Sequence, residues 1–574
     1  MYRYILKGLI KLKKALQNSM FMLSYIKKHC REFVAIAFSL AIVSSIVSIV
    51  SVIFIRVALN DMITKKSMQS LVVILLANFT ISIVAAHLTS VSNNIVIPIA
   101  TQKFQANMHR ELYEKAAEID LLKYDDPLFF NKYIMALNNS DSRALSVLST
   151  YTSLLSATVN SIGMITLMLS INQVVIFLII ALNVLVSIYC SSISSTITHK
   201  FNLSLVANQR KNAYVKRVFY QNNYACDIRT TRIIEVLFRI LHDTVRSTRE
   251  LTEKWGWKNY RITLIQHLTQ AIITLLTMLY LSKLYITGVI LAGDFAAVLS
   301  SINLLISSLK ILFSSIPQLY EHSLYIENFK EFFLYKPSRD SIECEEIGTV
   351  RVIKIDNCSF EYEEGNKILE NINMEINIGE KIGIIGSNGA GKTTFIKLIA
   401  GLYKPLGGDI FLNDRNYSEL SKKFFIQNFA VLFQNYEIYA TSIAENVLMK
   451  PIENLEIESL LVEDALKNVG LWEKIRKLEH GIFTPLLKEF NEAACAFSTG
   501  EYQRIALARI FTKKYSFVIL DEPFSHVDKN SVELILNNLI KKNPECGIVL
   551  VTHDKTNLIS FDRVYNLERK VLSS

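Results

Sequence analysis

Long stretches in the first half of this chain lack charged residues, and the whole chain lacks paired cysteines. The 574 residues include only seven cysteines, an odd number, and none of them forms a C-x-x-C pair. This number and spacing fit neither a disulfide scaffold nor a zinc site, so we expect reduced thiols. The apolar share of 51% is high for a soluble protein, and the length predicts two or more domains.

The second half of the chain lacks the basic excess of the chain as a whole. From residue 351 onward there are 27 basic and 30 acidic residues, whereas the preceding residues include 35 basic and 22 acidic ones. Nucleic-acid binding would need a basic soluble module, so this distribution argues against nucleic acid as a partner. A basic excess beside apolar segments instead fits the cytoplasmic flanks of membrane helices.

The first half contains six apolar segments long enough to cross a membrane, and the first of them has no charged residue. The predicted spans are 33–55, 71–91, 151–171, 174–193, 263–284 and 295–317. Eight Lys or Arg precede the first span against one acidic residue, which predicts a cytoplasmic N-terminus. Six spans return the C-terminus to the same side. No small-residue cleavage site follows the first span, so we predict a multi-pass protein of the cytoplasmic membrane.

The two inner connections between spans, 92–145 and 194–262, are long and charged. We expect them to be helical extensions of the membrane helices that bend near Asp125-Asp126-Pro127 and near Asn222-Asn223. Two independent soluble insertions are the alternative. After the sixth span, 318–337 is predicted to form an amphipathic helix that leaves the membrane.

Polar side chains inside the spans are costly in lipid and are candidates for contact with an exported substrate. They can also join helices to one another, and a lysine near a helix end can extend to the interface. The candidates for the substrate path are Asn78, His87, Asn303 and Lys310.

Residues 386–393 read G-S-N-G-A-G-K-T, the G-x-x-x-x-G-K-[ST] pattern of a phosphate-binding loop, called here the phosphate loop. A predicted strand enters it and a predicted helix leaves it, so backbone N–H groups and a helix N-terminus can face phosphate oxygens. Lys392 can reach the β- and γ-phosphates, and the Thr393 hydroxyl can bind Mg²⁺. The predicted ATP-binding residues here are Gly386, Ser387, Asn388, Gly389, Ala390, Gly391, Lys392, Thr393 and Thr394.

Short apolar runs after residue 350 predict an α/β domain with a mainly parallel sheet, whose ligands bind beyond the carboxyl ends of the strands. Asp521 and Glu522 follow one such run and are predicted to hold Mg²⁺ and to act on an attacking water, respectively. Gln434 and His553 follow two others. An amide there could contact Mg²⁺ and an imidazole could contact the γ-phosphate, although such residues at strand ends are more often caps.

Residues 497–504, Phe-Ser-Thr-Gly-Glu-Tyr-Gln-Arg, precede a helical run and are called here the signature segment. They form a second helix start that can bind an anion. One phosphate pocket does not need two such sites, so we expect this one to serve a pocket on another subunit. The predicted contacts to that partner's ATP are Ser498, Thr499, Gly500 and Glu501.

This ordered set of motifs resembles the ATP-binding cassette (ABC) transporter family, specifically exporter-type half-transporters. The resemblance implies an α-helical transmembrane domain of six spans fused to an α/β P-loop nucleotide-binding domain. It also implies that two nucleotide-binding domains close head to tail on two ATP–Mg²⁺. By the same resemblance, Tyr362 stacks on adenine, Glu522 is the general base, His553 contacts the γ-phosphate, and Asp528 belongs to the turn after the base. Residues 124–133 and 219–229 resemble the coupling helices.

The expected division of the chain is a cytoplasmic segment (1–32), a transmembrane domain (33–320), a linker (321–349) and a nucleotide-binding domain (350–574). The signature segment departs from the family pattern Leu-Ser-Gly-Gly-Gln, because Thr499 replaces a glycine and Glu501 replaces glutamine. A homodimer and a heterodimer with one altered ATP site both remain open.

The predicted function is ATP-driven export of an amphiphilic substrate, with a peptide as the narrower expectation, by a dimer surrounded by membrane lipid. Lipid flipping or multidrug efflux is the alternative. In another class, the chain would be an ATP-gated channel or a sensor subunit with little transport.

Overall fold

The computed structural model describes residues 2–64, 68–170, 174–335, 348–362, 365–488, 494–568 and 571–573. The chain forms two compact units. Met1–Ala116 and Asn131–Leu334 make up the first, and Ala117–Phe130 and Tyr335–Ser574 make up the second. Of the predicted linker, residues 336–347 lie outside the described residues.

Helices account for nearly all of the described residues of the first unit. In chain order they are α1 (Tyr2–His29), α2 (Arg31–Thr64), α3 (Met68–Val91), α4 (Ile97–Glu118), α5 (Leu121–Tyr124), α6 (Pro127–Leu169), α7 (Val174–Tyr220), α8 (Ala225–Thr230), α9 (Ile233–Ile286) and α10 (Ala292–Phe333), of which α5 belongs to the second unit. A π-helical turn at Ser92–Val96 connects α3 to α4.

Five helical stretches among the described residues are long and apolar enough to cross a membrane. They are Arg31–Thr64, Met68–Glu118, Ser142–Leu169, Ile233–Ile286 and Ala292–Phe333. Four of the six predicted spans lie within these stretches, and Ser142–Leu169 covers a fifth, 151–171, as far as Leu169. The remaining one, 174–193, lies at the start of α7, and several of its side chains fall outside the described residues.

Apolar side chains remain exposed along these helices, among them Ile46, Leu75, Phe79 and Leu279. An apolar surface of this extent is stable in lipid rather than in water. A separate buried cluster of α2, α6, α9 and α10 holds the unit together. Its fully buried members include Met164, Leu281, Val298 and Ile302.

A polar network joins α2, the residue directly after α6, and α10 near the turn before α10. Arg56 Nε donates to Asp294 Oδ1 at 2.7 Å, and Arg56 Nη1 donates to Ser170 Oγ at 3.1 Å. The N–H of Gly293 donates to Asn60 Oδ1 at 2.9 Å. A Cβ on Gly293 would lie 2.1 Å from the Arg56 carbonyl oxygen, so only glycine permits this close approach.

The inner connections confirm the prediction of long helices. The chain leaves helical geometry around Asp125-Asp126, and a 3₁₀ turn occupies Asn222–Tyr224, close to the two predicted bends.

Two expectations were incomplete. Residues 1–32 contain the helix α1, which packs on α10 through a 2.9 Å hydrogen bond from Asn18 Nδ2 to Ser323 Oγ. The predicted helix at 318–337 is not separate, since α10 continues through Pro317 to Phe333.

The second unit is an α/β fold. Its strands are β1 (Val352–Glu361), β2 (Lys367–Asn377), β3 (Lys381–Ile385), β4 (Gly407–Leu412), β5 (Arg415–Asn416), β6 (Phe429–Leu432), β7 (Phe517–Asp521), β8 (Gly547–Val551), β9 (Arg563–Glu568) and β10 (Val571–Ser573). Its further helices are α11 (Lys392–Ile399), α12 (Lys422–Asn428), α13 (Ile443–Leu448), α14 (Leu455–Asn468), α15 (Trp472–Ile475), α16 (Thr499–Ala508) and α17 (Lys529–Lys542).

The six-stranded sheet has the order β10-β9-β3-β8-β7-β6, and its strands from β9 to β6 run parallel. One apolar core lies between this sheet, α11 and the antiparallel sheet β2-β1-β4-β5. A second core covers the other side and includes α13, α14, α16 and α17. Because both faces are covered, β7 and β8 consist of buried residues throughout.

Candidate nucleotide site

The phosphate loop follows β3 and ends at the first residues of α11, as predicted. Gly389 and Gly391 have φ values of 80° and 100°, a left-handed backbone conformation that residues other than glycine rarely adopt. A Cβ on Gly386 would lie 2.4 Å from the Leu567 carbonyl oxygen of β9. The glycines therefore allow the tight path of the backbone and its close approach to the neighbouring strand.

Lys392 lies at the mouth of this loop and is largely buried. Its ammonium donates to the carbonyl oxygens of Gly386 at 2.8 Å and Ser387 at 3.2 Å. It also lies 3.2 Å from His553 Nε2 and 3.9 Å from Glu522 Oε1. The loop cation is thus next to Glu522, predicted to act on the attacking water, and His553, predicted to contact the γ-phosphate.

Four side chains meet at the carboxyl edge of the sheet, and we call Lys392, Gln434, Glu522 and His553 the edge cluster. Glu522 is its centre: Oε1 lies 2.8 Å from His553 Nε2, and Oε2 accepts from Gln434 Nε2 at 2.9 Å. The neighbouring order β3-β8-β7-β6 brings them together: His553, Glu522 and Gln434 follow the ends of β8, β7 and β6, and Lys392 begins α11 after the loop that follows β3.

Glu522 itself has a left-handed backbone, with φ of 47°. For a residue other than glycine this conformation costs about 1–3 kcal/mol and is characteristic of functional sites. The Glu522 N–H donates to the Val551 carbonyl oxygen at 2.9 Å, which ties the strained residue to β8. The carboxylate is therefore held in a fixed direction at the end of β7.

Asp521, one residue earlier, is buried, with 1% of its surface exposed. Its Oδ2 accepts from the Thr393 hydroxyl at 2.7 Å. Burial raises the pKa of Asp521, although the hydrogen bond from Thr393 opposes that shift. A hydroxyl and a buried carboxylate side by side are oxygen ligands of the kind that Mg²⁺ prefers, so the residues fit this ion.

Tyr362 is the aromatic residue that the resemblance assigns to adenine. The residue is 41% exposed, and its hydroxyl lies 3.1 Å from Thr394 Oγ1. It packs edge-on against Phe360 and Tyr403, at centroid distances of 5.2 and 5.7 Å. The exposed face is available for stacking on a base.

Tyr403 was not anticipated from the sequence. Its ring stacks on Phe360 at 5.1 Å, and its hydroxyl donates to Asp125 Oδ2 at 2.7 Å. Asp125 belongs to Ala117–Phe130, which forms part of the second unit although it lies between helices of the first. The first of the two segments that resemble coupling helices thus contacts the residues beside Tyr362.

The signature segment begins α16. Ser498 is its N-cap: Ser498 Oγ accepts from the Glu501 N–H at 3.3 Å, and Glu501 Oε2 accepts from the Ser498 N–H at 2.9 Å. This reciprocal pair is a capping box, in which loss of the serine side chain costs about 1 kcal/mol. A Cβ on Gly500 would lie 2.3 Å from the His526 carbonyl oxygen, so the helix start packs directly on the turn before α17.

That turn follows Glu522 of the edge cluster in the chain and is hydrogen-bonded to the signature segment. Gln503 Oε1 accepts from the His526 N–H at 3.0 Å, and Asp528 caps α17 by accepting from the Ser531 N–H at 3.0 Å. The contacts of Ser498 and Glu501 described here are with each other and with Lys474, not with the edge cluster. Thr499 contributes its carbonyl oxygen to a 3.2 Å hydrogen bond from the Tyr436 hydroxyl.

The four candidates for the substrate path are spread over α3 and α10. Asn303 and Lys310 are exposed on α10, and the exposed Ser307 lies between them at helical spacing. His87 is exposed on α3, whereas Asn78 Oδ1 is buried without a hydrogen-bond partner. Among the described residues, no hydrogen bond or ion pair joins any two of the four, and their role stays a prediction.

Comparison with known proteins gives consistent relatives. A family model described as ABC transporter matches residues 369–525. The chain is 23% identical over 502 residues to the subtilin transport ATP-binding protein of Bacillus subtilis, covering 85% of this chain and 79% of that protein. It is 31% identical over 228 residues to the lipoprotein-releasing system ATP-binding protein of Buchnera aphidicola, covering 38% of this chain and 94% of that protein.

A solved structure of a bacterial Atm1-family ABC exporter with ATP bound has the same fold. It superposes with a TM-score of 0.76 at 15% identity, covering 95% of this chain and 94% of that one. The family match, the relatives and the fold agree with one another. The chain belongs to the ABC transporter family and is an ATP-hydrolysing exporter.

Proposed function

We propose that two copies of this chain form a transporter of the cytoplasmic membrane that exports an amphiphilic, peptide-like substrate. The observation that carries the ATP-dependent part is the edge cluster, in which Glu522 contacts both His553 and Gln434 within 3 Å. The exposed apolar helices of the first unit support the membrane part.

Within one chain, the phosphate loop would hold the β- and γ-phosphates, with Lys392 as their cation and Tyr362 stacked on adenine. Glu522 would orient and deprotonate the attacking water, because its carboxylate is fixed by two neighbours and by its backbone. His553 would contact the γ-phosphate. The remaining loop residues, from Gly386 to Thr394, would supply backbone N–H groups and hydroxyls.

Mg²⁺ would be held by Thr393, Asp521 and Gln434 together with phosphate oxygens. The ion supplies charge that neutralises the phosphates during transfer. Asp521 and Thr393 already share a 2.7 Å hydrogen bond, and Gln434, whose Nε2 donates to Glu522, has an amide oxygen that could serve as a further ligand.

Asp521→Asn tests the cation site. The variant keeps the size of the side chain but loses its charge, so we expect the Mg²⁺ concentration for half-maximal ATPase activity to rise about tenfold or more. Asp414→Asn, at an exposed position in the turn between β4 and β5, is the matched control and should leave the Mg²⁺ dependence unchanged. Equal Mg²⁺ curves for both variants would contradict the assignment of Asp521.

The signature segment would complete the ATP site of a partner copy. The capping box and Gly500 hold the start of α16 in place, which leaves backbone N–H groups of its first turn available to an anion. Asp528 caps the next helix in the same region and would belong to that subunit contact. A homodimer is the arrangement we favour, since Ser498 and Gly500 retain the family pattern.

The proposed cargo rests on the relative named for subtilin transport, together with the exposed polar positions Asn303, Ser307 and Lys310 on α10. The basic excess before residue 351 supports an orientation with both termini in the cytoplasm. Asn78, His87, Asn303 and Lys310 would contribute to the path.

The test is transport by the purified chain alone in inside-out proteoliposomes. We expect ATP-dependent uptake of a fluorescent amphiphilic peptide that exceeds uptake of a fluorescent lipid analogue or of a cationic dye. Vigorous ATPase activity without a second subunit would support the homodimer. Uptake of the lipid or dye alone would overturn the peptide assignment, and a need for a different half-transporter would overturn the homodimer.

A further inference from the structure

We propose that Lys474 is a positioning residue for the signature segment, which neutralises Glu501 so that the start of α16 can receive the γ-phosphate held by a partner copy. This inference deepens the proposed function and rests on its signature contact. Lys474 lies more than twenty residues before the segment, and no motif of the sequence singles it out.

The two side chains form a close ion pair. Lys474 Nζ lies 2.6 Å from Glu501 Oε1, while Glu501 Oε2 accepts from the Ser498 N–H at 2.9 Å. Both carboxylate oxygens of Glu501 therefore have a partner within the same chain. The Glu501 side chain is 16% exposed and the Lys474 side chain 50% exposed, so the carboxylate of the pair is largely shielded while the ammonium still reaches solvent.

Lys474 also contacts Phe497, the first residue of the signature segment. Its Nζ lies 5.0 Å from the centroid of the Phe497 ring, a cation–π distance, and Phe497 is 8% exposed. Phe497 stands where the family pattern Leu-Ser-Gly-Gly-Gln has leucine, and Glu501 stands where it has glutamine. Lys474 thus contacts the first and the last residue of this stretch.

The fold fixes the backbone position of Lys474. Lys474 lies on the short helix α15, which is anchored by the buried Leu471 and Ile475. Both belong to the same apolar core as Phe497 and the buried face of α16. The packing of α15 therefore places the Lys474 ammonium next to Glu501.

The charge of Glu501 makes the pairing necessary. Partial burial acts to raise the pKa of Glu501, but the hydrogen bonds from Lys474 and from the Ser498 N–H prevail, and the pKa lies below its usual value. Glu501 is thus ionised at neutral pH. An unpaired carboxylate in the first turn of α16 would repel a phosphate there, whereas the ion pair presents no net charge.

The experiment compares steady-state ATPase activity and ATP-dependent dimerisation of the full-length reconstituted protein in four variants. Lys474→Met should lower turnover about tenfold, as expected for an uncompensated charge near the reacting phosphate. Adding Glu501→Gln to Lys474→Met should restore turnover to that of Glu501→Gln alone, because glutamine keeps the capping box without the charge. Lys477→Met, an exposed neighbour, is the matched control.

Failure of the double variant to recover would overturn the inference, because it would show that Lys474 acts only through packing on Phe497. Normal turnover of Lys474→Met would overturn it as well. Ser498→Arg separates this inference from the proposed function: if that variant loses activity while Lys474→Met does not, only the inference is wrong. If Ser498→Arg is also fully active, the signature contact itself is wrong and the inference falls with it.

Discussion

Replacing Glu522 with glutamine is expected to lower ATP turnover at least about 100-fold while ATP binding persists, since removal of a general base has an effect of this size. Glutamine has the same shape and can still accept a hydrogen bond from Gln434 or His553, so the edge cluster should stay assembled. The lost property is the ability to take a proton from the attacking water.

The measurement is single-turnover hydrolysis together with equilibrium nucleotide binding, with Glu533→Gln as the control on an exposed position of α17. Nucleotide-bound dimer should accumulate in the Glu522 variant, because closure no longer ends in hydrolysis. Substrate accumulation at the normal rate in vesicles of the Glu522 variant would contradict ATP-driven export by this chain.

Replacing Gly500 with alanine is expected to lower turnover at least about tenfold without unfolding the protein. The new Cβ would lie 2.3 Å from the His526 carbonyl oxygen, and a backbone atom can move away only if the start of α16 or the turn before α17 shifts. A shift of an ångström in a phosphate-binding element can lower the rate about 100-fold. We expect a smaller shift here, and therefore a loss of at least about tenfold.

Gly407→Ala is the matched control, because a Cβ at that position would meet no atom within 4 Å. Circular dichroism and thermal unfolding should show both variants folded, and only Gly500→Ala should lose ATP-dependent dimerisation. Normal dimerisation and turnover in Gly500→Ala would mean that this part of α16 does not contact nucleotide.

Much of the fold could be predicted because its signals are local. A run without charge as long as 33–55 can be buried only in lipid, and a glycine-rich loop between a strand and a helix has few other uses. The helix α1 escaped prediction, since its pattern is amphipathic and basic and its partner α10 lies some three hundred residues away. The continuity of α10 through Pro317 was missed because packing on neighbouring helices can outweigh the local preference of proline to end a helix.

The sequence by itself determined the membrane character of the first half, the phosphate loop and the strand-end positions of Asp521, Glu522 and His553, since each depends on residues adjacent in the chain. Tertiary structure decided what surrounds them. The neighbouring order of β3, β8, β7 and β6 brings Lys392, His553, Glu522 and Gln434 together. Packing of α15 and of Ala117–Phe130 places Lys474 on Glu501 and Asp125 on Tyr403. Contacts between residues so distant in sequence depend on the packing of whole elements, and no local pattern of residue types encodes them.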